Sequence, residues 1–110
     1  MLRAALLLTV VTAATACHTQ RPSAPSPATS MLTCATNRAM GAGFEEQRRA
    51  SLNSLTLVRR AGTGAIEDVL QVSVTDSTLS VSAAVWVENG PPPKPSVMSL
   101  AAQIQRECAQ

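Results

Sequence analysis

Few residues in this chain could carry chemistry. There are three cysteines, Cys17, Cys34 and Cys108, and one histidine, His18. The carboxylates are Glu45, Glu46, Glu67, Asp68, Asp76, Glu88 and Glu107. An enzyme site needs a nucleophile beside a base, paired carboxylates, or a metal cluster. His18 stands next to Cys17, near the N-terminus, and the rest of the chain offers no histidine to pair with a serine or cysteine. A lone histidine also lacks the further ligands that a zinc site requires. Gly41-Ala42-Gly43 and Gly62-Thr63-Gly64 are too short to cradle a phosphate, and they lack the strand-to-helix context with an adjoining lysine. Several carboxylates fall at predicted turns or strand ends, where solvated charge is the default. The expectation is no enzyme, no metal and no cofactor.

Charge excludes another class. The formal net charge is +2. Arg48-Arg49 and Arg59-Arg60 are pairs rather than runs, and they read as solvated surface. A chain so nearly balanced offers no basic field for nucleic acid.

The N-terminus carries an address. Arg3 is a short positive region, Ala4 to Val11 is an apolar run, and Ala14-Thr15-Ala16 is a small-residue cleavage site. The apolar run falls short of the roughly 20 residues that span a bilayer. Cys17 follows the cleavage site directly. Ala14-Thr15-Ala16-Cys17 resembles the lipobox of bacterial lipoproteins, with Ala14 where leucine is usual. That resemblance implies removal of residues 1–16, transfer of a diacylglycerol to the Cys17 thiol, and acylation of its freed amine by a fatty acid such as palmitate. Two or three buried chains hold a protein far more firmly than one, at about 0.8 kcal/mol per methylene. His18, in the place where aspartate favours inner-membrane retention, points to the outer membrane of the cell envelope. The alternative is ordinary secretory cleavage, which leaves a soluble product with a free cysteine.

Residues 17–30 form the next unit. After Cys17 come three prolines, many small polar residues and no large apolar side chain. Such a stretch cannot bury a core and reads as a tether. Extended at about 3.1 Å per residue, it would hold a domain some 30–40 Å from the bilayer.

Residues 31–110 are long enough for one small domain. Ser30 is the expected cap of a helix from Met31 to about Met40, with Met31, Cys34, Ala35 and Ala39 on one stripe. Gly41 and Gly43 stop it. Residues 44–53 are ambiguous between a strand, a loop and a helical extension. Period-two alternation then predicts strands over 54–60, 68–74 and 78–88. In the last of these, Leu79, Val81, Ala83, Val85 and Val87 alternate with Ser80, Ser82, Ala84, Trp86 and Glu88. Short connections favour an antiparallel meander. Pro91, Pro92, Pro93 and Pro95 make a stiff connector to a final helix, about Ser96 to Cys108. Its Val97, Leu100, Ala101, Ile104 and Cys108 share one apolar stripe. The order helix, three or four strands, helix predicts an α+β two-layer sandwich, with both helices on one face of the sheet.

The cysteines follow from this frame. With Cys17 lipidated, Cys34 and Cys108 remain, each on the apolar stripe of its own helix. They are expected to form a disulfide, which an oxidising compartment permits. Two buried free thiols are the alternative. Cys-x-x-Cys spacing is missing, so a redox-active pair is not expected. A cysteine in the first helix followed by a glycine–aromatic step, Cys34 and Gly43-Phe44, is similar to small bacterial lipoproteins with a Pro/Ser tether and a compact α+β domain. That resemblance implies a fold type and no activity.

Two functions remain. One is an interaction or structural module that docks on an envelope protein through Trp86, Ser80, Ser82 and Ala84 on the outer face of the last strand. The other is a small-molecule or lipid binder with a pocket between sheet and helices. The small residues Ala35, Ala39 and Ala101 favour close packing over a cavity there.

Overall fold

The computed structural model describes residues 26–110. The expected signal peptide, Cys17 with its expected lipid, and most of the expected tether lie outside the described residues. The elements are α1 (Pro27–Gly41), β1 (Glu45–Ser51), β2 (Ser54–Arg60), β3 (Ile66–Thr75), β4 (Thr78–Ala84) and α2 (Pro95–Cys108). The strands form one antiparallel meander in the order β1-β2-β3-β4. Both helices pack on one face of it, giving the α+β two-layer arrangement.

Helix α1 begins one turn earlier than the sequence suggests. Ser26, not Ser30, is the cap; its hydroxyl accepts the Thr29 N–H at 3.1 Å. Pro27 takes the first helical position, where its missing N–H would have had no partner in any case. A proline that reads as linker thus starts a helix, and residues 27–30 leave the predicted tether. The far end closes as a Schellman motif: Phe44 N–H reaches Ala39 O, Gly43 N–H reaches Met40 O, and Gly43 has φ +95°. Phe44 is thereby turned back into the core.

The interior matches the alternation. Leu55, Val72 and Val81 form one cross-strand row, and Leu57, Leu70 and Ala83 the next. Met31, Leu32, Ala35 and Ala39 of α1 and Val97, Ala101, Ile104 and Cys108 of α2 close over them. Ala35 and Ala39 have no solvent exposure, so the layers meet closely. The disulfide Cys34–Cys108 staples α1 to the last turn of α2, with Cα atoms 5.6 Å apart.

The ambiguous stretch 44–53 resolves into Phe44, strand β1 and a tight turn to β2. Every β1 side chain is exposed, so it carried no hydrophobic pattern to read. Its pairing rests on backbone bonds and on ion pairs such as Arg60–Glu45 at 2.8 Å. The β3–β4 hairpin turns on Asp76 and Ser77, at φ +50° and +63°. Two positive φ values in a two-residue loop mark a type I′ turn.

The last strand is shorter than its alternation implies. β4 stops at Ala84, paired with Val69, rather than running to Glu88. Alternation continues through Val85, Trp86 and Val87, but β3 offers them no ladder. The β3 residues that would lie opposite, Asp68 and Glu67, are engaged by side chains from β2 and from the returning chain. A turn closed by Gly90 N–H to Val87 O at 2.9 Å then reverses direction, with Asn89 at φ +64°. Gly90 is required by close approach: a Cβ there would lie 2.8 Å from Val87 Cγ2 and 3.0 Å from Val87 O.

Candidate functional site: a cleft at the end of the sheet

The segment from Val85 to Lys94 folds over the end of β4 and the start of β3. It encloses a cleft of about 440 Å³. Ile66, Val69, Val85, Val87 and Val97 make its walls mostly apolar, and Trp86 and Pro91–Pro93 stand at its mouth. Val85, Trp86 and Val87 are 44%, 48% and 54% exposed. Three consecutive large apolar side chains therefore face solvent at one place.

Charged side chains brace the cleft. Asp68 is buried, at 4% side-chain exposure. Its Oδ2 accepts from Arg59 Nε at 3.0 Å and Nη2 at 2.8 Å. Arg59 Nη1 donates to Ala42 O at 2.9 Å, satisfying a carbonyl left over at the end of α1. The guanidinium lies over the Phe44 ring, 4.6 Å from its centroid, in cation–π contact. On the other side, Lys94 binds Glu67 and lies 3.5 Å from Asp68 Oδ1. The hydrogen bond to Glu67 raises the Lys94 pKa above its ordinary value, with the charge of Asp68 adding to it and desolvation opposing. Each of these four charges has a partner of opposite sign, so the cleft has little ionic attraction left to offer.

This cluster was not anticipated. Arg59 is not part of a solvated pair, and Asp68 is not a solvated strand-end charge. A signal existed. Arg59 continues the inward face of Leu55 and Leu57, and Asp68 continues that of Leu70 and Val72. The two are register partners across β2 and β3. Opposite charges at facing inward positions announce a buried pair, but only once the register is known.

The proposed surface on β4 divides in two. Ser80 and Ser82 are exposed on the outer sheet face, where Ser54–Ser73–Ser80 and Thr56–Gln71–Ser82 form cross-strand rows. Ala84 and Trp86 instead line the cleft. Trp86 belongs to the loop beyond the strand, so the four residues do not share one flat face. The interior between sheet and helices is filled, and the cleft lies at the sheet's end.

The cleft also has a direction. Ser26, where the chain enters the described domain, lines a separate hollow with Leu52 and Asn53 at the start of α1. Ala42 and its Arg59 contact mark the other end of α1. A helix of 15 residues spans about 22 Å. Ser26, the first described residue, and the cleft are therefore at opposite ends of the domain.

Among the described residues, no group of three or more His, Cys, Asp or Glu side chains is placed to hold a metal ion. No described helix is long and apolar enough to cross a membrane. No family model matches the chain, and no curated protein or solved structure shows significant similarity to it.

Proposed function

We propose that the chain is an envelope lipoprotein, anchored through a lipid on Cys17, whose domain acts as an interaction module. The observation that carries this reading is the exposed row Val85-Trp86-Val87 at the mouth of a mostly apolar cleft. A half-exposed tryptophan in a braced loop is the kind of anchor that dominates binding energy at protein interfaces. Position supports it too: the cleft points away from the tether, toward whatever lies beyond the membrane surface. The lipobox-like sequence supports the anchor and the outer-membrane address. The disulfide is in keeping with an oxidising compartment. The balanced charges of the cleft favour an apolar partner surface and argue against nucleic acid.

A second reading draws on the same cleft. Its volume of about 440 Å³ falls in the range of small-molecule sites, so an apolar ligand or lipid chain is the alternative occupant.

The test is crosslinking in intact envelopes, comparing the parent chain with Trp86→Ala. A specific protein adduct that disappears with Trp86→Ala, while the amount of chain is unchanged, supports the module. Adducts insensitive to Trp86 would refute the docking site. A lipid or small molecule that co-purifies with the parent chain and is absent from Trp86→Ala would favour the second reading. Mass analysis of the mature N-terminus tests the anchor; an unacylated Cys17 overturns it.

A further inference from the structure

The free edge of β4 is closed along only part of its length. In an antiparallel pair, alternate residues turn their N–H and C=O toward the neighbouring strand, and the residues between turn theirs away. Val81 N–H donates to Gln105 Oε1 of α2 at 2.8 Å, so Leu79, Val81 and Ala83 form the outward set. Gln105 Nε2 donates back to Leu79 O at 2.7 Å. These are the two bonds that a residue on a parallel strand would make opposite Ser80. One glutamine side chain thus acts as a single residue of a fifth strand.

Beyond it the edge is open. Val81 C=O and Ala83 N–H and C=O find no protein partner among the described residues. They border a groove of about 460 Å³, between β4 and α2, with Pro93, Met98 and Ala102 on its far wall. Met98 is 55% exposed. No residue lining the groove is charged. The opposite edge differs: β1 carries Glu45, Glu46, Arg48 and Arg49 and two register irregularities, devices that discourage strand addition.

We infer that this stretch of β4 binds one extended, uncharged peptide segment of a partner protein, added to the sheet beside Ala83. The unpaired groups specify a backbone: one donor and two acceptors on alternate residues match what an extended chain presents. Charge complementarity specifies the side chains, because a charged residue would enter a groove that has nothing to pair with it. A second copy of the domain would bring its own α2 to the same line, whereas the open stretch from Val81 to Ala83, about 7 Å long, suits a single extended segment. Gln105 fixes where the added strand must begin. This surface is distinct from the Trp86 cleft, although Pro93 borders both.

The experiment selects a display library of random ten-residue peptides on the immobilised full chain. The expected result is enrichment of uncharged segments with apolar residues at alternate positions. The best binder should slow exchange of the Ala83 amide at least tenfold. Met98→Glu, on an exposed helix position, should weaken it roughly tenfold or more. Ala83→Pro removes the N–H donor and should do the same, since an edge strand tolerates proline; if that variant does not fold, Met98→Glu decides. Trp86→Ala should leave binding unchanged. The inference fails if no peptide is enriched, if Ala83 exchange does not slow, or if binding survives Met98→Glu. Loss of binding with Trp86→Ala would also overturn it, by moving the peptide to the cleft.

Discussion

Removing the disulfide gives the most direct test of how this domain is held together. Cys34 and Cys108 are 74 positions apart, so the bond closes nearly the whole described domain into one loop. In the chain-entropy model a loop of that length destabilises the unfolded state by about 4.5 kcal/mol. Replacing both residues with alanine also deletes two sulfur atoms from a packed setting, which costs roughly 1 kcal/mol more. A domain of residues 26–110 has a total stability of about 4–13 kcal/mol. The bond therefore accounts for a third of the stability or more. Cys34→Ala/Cys108→Ala should lower the melting temperature by about 20–45 °C. Urea unfolding should also show a larger m-value, because an uncrosslinked unfolded chain exposes more surface. A double variant within 1 kcal/mol of the parent, with the same m-value, would refute the argument. It would mean that the helices hold their places by packing alone.

Two further substitutions probe features that carry the site and the hairpin. Asp68→Asn keeps the shape but takes from Arg59 its carboxylate partner and from Lys94 its second one; we expect a loss of about 1–2 kcal/mol in urea unfolding, against near neutrality for a solvated aspartate. Ser77→Gly relieves a left-handed backbone at φ +63° in a type I′ turn, so stability should rise by about 1 kcal/mol, read as a melting temperature several degrees higher.

Much of the fold was legible because period and burial agree. Leu55, Leu57, Leu70, Val72, Leu79 and Val81 alternate in sequence and line one sheet face in space. Helix α2 follows its apolar stripe within one residue of the expected start. The misplaced boundaries have local causes. Pro27 resembles a linker proline but fits a first helical turn. β1 has no buried side chain to betray it. Trp86 continues the alternation of β4 past Ala84, where the ladder to β3 ends.

The sequence by itself determined the type of every element except β1, the two-layer arrangement and a pair of cysteines on converging apolar stripes. Those properties are written in side-chain periodicity, which one strand or helix displays without reference to its neighbours. Tertiary structure decided the rest. Register brought Arg59 opposite Asp68 and made two surface-like charges into a brace with the carboxylate buried and the guanidinium partly so. β4 ends at Ala84, the chain returns through Lys94 to pair with Glu67, and Trp86 is left lining a cleft between the two. The placement of α2 over β4 set Gln105 against a strand edge, closing Leu79 C=O and Val81 N–H while leaving Val81 C=O and Ala83 open. Each of these depends on residues far apart in the chain meeting at one point, and no local pattern encodes such a meeting.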